Sequence, residues 1–109
     1  MNLSHHGPQD YQSLLMHQEA VRLILEDPLL ADKAQEILSR WDRHVGVRSK
    51  PLRDEWVQII SNKNWDLALE DSERGNQLRQ ASPLSVLLPN KRRVEIIRSV
   101  KKLKEQRHA

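Results

Sequence analysis

The chain has 109 residues, 38% of them hydrophobic and 30% charged, with three Gly, five Pro, no Cys and no Phe. That length suits one domain, burying roughly two thirds of its unfolded surface, and the composition excludes a disordered chain, a disulfide scaffold and a thiolate zinc site. The net charge of +3 hides a split, because residues 91–109 carry eight Lys or Arg against two Glu while residues 1–90 carry ten against thirteen acids; an acidic partner is expected for the C-terminal end.

Residues 1–9 read as a flexible lead-in, and residues 10–107 as a single helical domain. The lead-in lacks a signal peptide's apolar core, and no apolar run reaches the ~20 residues that cross a bilayer. A cytoplasmic protein with no membrane partner is expected. The His5-His6 pair has no third ligand at a usable spacing, so no metal site is expected.

Asp10 is placed as the cap of a first helix running to Glu26. Tyr11, Leu14, Gln18, Val21 and Leu25 form one stripe, flanked by Leu15 and Ile24. A second stripe, Met16, Ala20 and Leu23, repeats on the opposite side. Two readings stand: a central helix buried on both sides, or one face for the core and one for a partner. On the second reading Tyr11, Met16, Glu19, Ala20 and Leu23 touch that partner.

Asp27-Pro28 restarts the chain, with Asp27 as cap and Pro28 at the first helical position. The second helix runs to His44 on a regular stripe of Leu30, Ala34, Ile37, Leu38, Trp41 and Val45, and Gly46 is expected to end it in a left-handed cap. A third helix starts near Pro51, with Leu52, Trp56, Ile59 and Ile60 along one side. Asn62-Lys63-Asn64 breaks it, a short segment follows from Trp65 to Glu70, and Ser72 caps another turn toward Arg79. Ser82-Pro83 stops the chain again, Leu84–Leu88 suits a buried helical turn, and Pro89 opens a last helix to Arg107. The apolar stripe of that helix is Ile96, Ile97, Val100 and Leu103. The fold expected is all-α, a compact bundle of four to five main helices with short connecting segments.

Catalytic equipment is not apparent. There is no glycine-rich phosphate loop, no nucleophile in a recognisable setting and no carboxylate cluster with metal spacing, so neither an enzyme, nor a cofactor, nor a small-molecule substrate is expected. Of the three Trp, Trp65 opens a short segment after a polar link and is the one expected to show a face to a partner. Lys91, Arg98, Lys101 and Lys102 are candidates for contact with an acidic partner or nucleic acid. Glu95 and Glu105, at helical spacing from them, read as partners that neutralise this face. A helix-turn-helix from helices two and three is disfavoured, since Asp54 and Glu55 at the start of the would-be recognition helix repel phosphate.

The run Leu78-Arg79-Gln80-Ala81-Ser82-Pro83-Leu84, then a basic helix with Arg92-Arg93, Ile96-Ile97 and Val100-Lys101, resembles small bacterial proteins encoded beside nucleotide-using toxins. Ala34 to Leu38 with Arg40-Trp41, and Glu55 to Ile60, are similar to the same group. The chain departs from its pattern at Leu84, where an aromatic is common, and at Val94-Glu95, where it lacks a Trp. The resemblance implies a type II antitoxin that neutralises its toxin by direct binding in a hetero-complex. The toxin is a zeta-type sugar-nucleotide kinase or a nucleotidyltransferase, with a helix laid over the nucleotide site. The alternatives are a small DNA-binding regulator using the basic C-terminal helix and a non-catalytic helical adaptor.

Overall fold

The computed structural model describes residues 7–44 and 46–108, with side chains from Gln9 to Gln106. Six α-helices make an all-α bundle: α1 (Gly7–Glu26), α2 (Leu29–His44), α3 (Lys50–Ser61), α4 (Trp65–Ala68), α5 (Glu73–Arg79) and α6 (Asn90–His108). Two 3-10 turns, Val47–Ser49 and Leu84–Leu87, complete the described elements. Most of the expected lead-in, His5 and His6 included, lies outside the described residues, as does Val45.

The first helix is the hub. It packs against α2, α5, α6 and the Leu84–Leu87 turn, so one side of it cannot satisfy all its neighbours. Met16, Ala20, Val21 and Ile24 all enter the core. This corrects the partner-facing reading for two residues: Met16 is 9% exposed and Ala20 0%, because the second stripe meets other helices of the same bundle. The helix also begins three residues before Asp10, which sits within its first turn, where a carboxylate suits the dipole, rather than capping it.

The turn into α2 follows from Asp27-Pro28. The Asp27 amide donates to Leu23 O at 2.8 Å and closes α1. Its carboxylate then accepts from the Leu29 amide at 3.2 Å, capping α2, while Pro28 brings no amide hydrogen to satisfy. Ala34, Ile37 and Leu38 bury one face of α2. Gly46 is not left-handed: its φ of −61° and ψ of 168° are extended, leading into the Val47–Ser49 turn.

The left-handed cap falls at Lys63, with φ 55°. The Asn64 amide donates to Ile59 O at 2.8 Å and the Lys63 amide to Ile60 O at 3.2 Å. This paired closure lets a helix reverse over a left-handed residue, a place that usually goes to glycine.

Trp56, on α3, joins three helices. It is fully buried, its Nε1–H donates to Leu78 O at 2.7 Å, and its ring lies 5.9 Å from that of His17 on α1. Arg53, one turn earlier, is buried as well. It bonds Asp42 Oδ1 at 3.1 Å, Gly46 O at 3.1 Å and the Ser49 hydroxyl, tying α2 to the start of α3.

The Leu78–Leu84 run is chiefly core. Leu78, Arg79, Ser82, Pro83 and Leu84 are buried, and Ser82 Oγ accepts from the Leu84 amide at 3.0 Å to shape the turn. Pro89 precedes α6 and takes the capping role, its carbonyl accepting from the Arg93 amide at 3.1 Å. Ile96 and Val100 face the interior, but Ile97, expected beside them, is exposed. Among the described residues α1 is the helix packed closely on α6, and the Arg93 guanidinium donates to Ser85 O of the Leu84–Leu87 turn at 2.5 Å, while most side chains of α6 are exposed.

Candidate partner-binding surfaces

The residues expected to meet a partner divide three ways. Met16 and Ala20 are core. Tyr11 and Leu23 are half-buried, Leu23 packing against the core. Glu19 is nearly buried and fully engaged: its carboxylate accepts from Arg22 at 2.5 and 3.1 Å and from Arg92 Nε at 3.2 Å. Arg22 also holds Glu26 at 2.7 Å, and Arg92 also holds Glu95 at 3.2 Å. The result is an alternating ladder, Glu95–Arg92–Glu19–Arg22–Glu26, sealing the seam between α1 and α6. The Arg22 bonds first, and then those of Arg92, pull the Glu19 carboxyl down to about 2. This carboxylate belongs to the structure rather than to a free surface.

Trp65 is half-buried and stands at the wall of a groove of ≈ 580 Å³. The groove runs between the α1–α2 turn and the C-terminal end of α3. Ile24, Ala31 and Ile60 line its interior, and Gln35, Ser61 and Lys63 give it a polar edge. Leu25 and Leu29 flank the Asp27-Pro28 turn and are 67% and 72% exposed. Two large side chains this open, beside a Trp and a concave apolar wall, form the largest aliphatic exposure at any one place among the described residues. Groove-plus-anchor surfaces of this kind accept apolar side chains of a partner.

Sequence reading missed the pair because Leu25 fits an apolar stripe of α1 and Leu29 falls outside the stripe of α2. The signal present was the turn between them: Asp27-Pro28 swings the chain away from the core with a Leu on either side.

Lys91, Arg98, Lys101 and Lys102 are all exposed on the outer face of α6. The ion pairs expected from Glu95 and Glu105 on this face do not form, and Glu105 is in none among the described residues. Glu95 pairs with Arg92 on the inner margin of the helix, where Glu19 already draws Arg92 toward α1. Among the described residues, no ion pair engages Lys91, Arg98, Lys101, Lys102 or Lys104.

A polar cluster is buried where α1, α3 and α5 meet. His17 Nδ1 lies 2.7 Å from Ser13 O, so that nitrogen carries the proton, and Nε2 has no partner among the described residues. Burial pushes the imidazole down to about 4. Arg79 bonds Ala68 O at 3.0 Å and Asn76 Oδ1 at 2.7 Å, both neutral acceptors, and burial lowers its pKa. Among the described residues no group of three or more His, Asp or Glu is arranged to hold a metal ion, and no helix is long and apolar enough to cross a membrane.

Comparison with protein-family models, with curated proteins and with solved structures finds no match for this chain.

Proposed function

We propose that the chain is a type II antitoxin, a non-catalytic binding protein that neutralises a nucleotide-dependent toxin, of the zeta-type sugar-nucleotide kinase class, by covering its active site. The observation that carries this reading is the groove beside the α1–α2 turn, with Leu25 and Leu29 exposed at its rim and Trp65 in its wall. The likeness of the Leu78–Leu84 run to proteins encoded beside such toxins supports it. The contact surface proposed is the C-terminal end of α1 with the start of α2, in place of the buried Met16–Ala20 stripe. Apolar side chains on one toxin helix fill the groove, and the two leucines anchor on that helix in return. A cytoplasmic location goes with this reading.

The test is co-expression of the tagged chain with the product of the adjacent gene. Leu25→Asp with Leu29→Asp should weaken the complex by at least tenfold, about the ~1.4 kcal/mol or more that truncating a central anchor costs. Far-UV circular dichroism should not change, since both side chains already lie in water. Trp65→Ala should weaken the complex in the same direction. A double variant that binds as tightly as the parent chain would remove the groove from the account.

A further inference from the structure

The outer face of α6 presents a row of cations that outnumber the two acids of that helix, Glu95 and Glu105. Lys91, Arg98, Lys101 and Lys102 are exposed on it, and none is in an ion pair among the described residues. Of the two acids, Glu95 is turned to Arg92 at 3.2 Å, and Glu105, exposed one turn beyond Lys101 and Lys102, is in no ion pair among the described residues and takes one unit from the net charge of the face. At 1.5 Å per residue the row from Lys91 to Lys102 spans about 17 Å.

The kind of charge and what accompanies it identify the partner. Three of the four cations are Lys, which is depleted in the cores of protein–protein interfaces, and the face has no Trp, Tyr or Phe to serve as an anchor. Val94 and Ile97, though exposed, are too small an apolar strip to hold a helix in a lipid surface. Without an aromatic side chain the face has no platform on which unpaired bases could stack, which sets single strands aside. What remains is a compact line of hydrated point charges. That suits a duplex backbone, with one negative charge per ~1.7 Å of axis.

We infer that the outer face of α6, through Lys91, Arg98, Lys101 and Lys102, docks on the phosphate backbone of double-stranded DNA without selecting sequence. The groove lies at the Ile24–Leu29 end of α1. Arg92 meets α1 at Glu19, and the later Ile96 and Ser99 line the same cleft as Leu15 and Gln18. The two helices are therefore antiparallel, and Lys101, Lys102 and Lys104 lie toward the start of α1. DNA contact there leaves the groove open, so this inference does not rest on the antitoxin reading.

The experiment is fluorescence anisotropy of the whole chain with a labelled random-sequence DNA duplex, titrated at several salt concentrations. Four phosphate contacts give a log K against log salt slope of about −3.6. Lys101→Gln with Lys102→Gln should flatten that slope by about two and lower affinity roughly tenfold at low salt. Lys33→Gln with Arg48→Gln removes the same charge from exposed positions elsewhere and should leave both quantities near the parent values. All three proteins should keep the same helical circular dichroism. No binding at ~50 mM salt, equal losses from the two pairs of substitutions, or tighter binding to a single strand than to the duplex would each overturn the inference.

Discussion

His17 shows how a single buried group sets an acid limit on this fold. Its imidazole is neutral in the core, stacked on Trp56 and close enough to Arg79 for that charge to oppose protonation further. The unfolded chain binds a proton near 6.5 and the folded one only near about 4. Stability is therefore unaffected above pH 6.5 and falls as the pH drops toward 4, by roughly 3 kcal/mol at the limit. Below that range Glu19 adds its own loss. Its carboxyl, ordinarily 4.5, is held at about 2 in the folded state, so its contribution disappears as the pH falls through that interval. Urea midpoints at pH 7, 5.5 and 4.5 should decline for the parent chain. In His17→Gln they should stay level down to about pH 4.5 from a lower starting value, the packing against Trp56 being lost. Parallel declines in both proteins would show that His17 is not the titrating group.

At the scale of elements, α5 is held in place by a residue with no side chain. A Cβ on Gly75 would collide with Glu70 O and lie 3.1 Å from Arg79 Nη1. Gly75→Ala must push the 70–72 segment or α5 itself outward, carrying Arg79 from Ala68 O and Leu78 O from the Trp56 indole. A loss of about 2 kcal/mol is expected, read as a lower melting temperature. An unchanged melting temperature would mean that α5 packs more loosely than its contacts indicate.

The helices themselves were largely legible, and where legibility failed the cause was another element. The α2 stripe read correctly because that helix buries one face only. The two stripes of α1 could not be apportioned, because its four packing partners were invisible to a helical wheel. Glu95 stood at the right spacing for Lys91 and Arg98, but Glu19, 73 residues from Arg92, recruits Arg92 into the seam, and Arg92 takes Glu95 with it. Arg53 and Arg79 were out of reach, since arginine reads as surface until a buried carbonyl is brought to it. The left-handed cap fell at Lys63, where α3 reverses over its last turn, while Gly46 is extended.

Over the whole molecule the bundle measures 46 × 29 × 25 Å, and among the described residues two surfaces are left unsatisfied. One is aliphatic and concave, beside the α1–α2 turn. The other is cationic and convex, along α6. Between them the Glu19 ladder and the Trp56 junction use up their own polar groups within the fold. The central claim is that the aliphatic end meets the toxin. Hydrogen–deuterium exchange on the chain, alone and mixed with the adjacent gene's product, tests it most directly. The account predicts new protection over residues 24–31 and 60–65, with the first turns of α1 and the outer half of α6 unchanged. A complex that forms while protecting only α6, or any region that leaves those two stretches as they were, would contradict it.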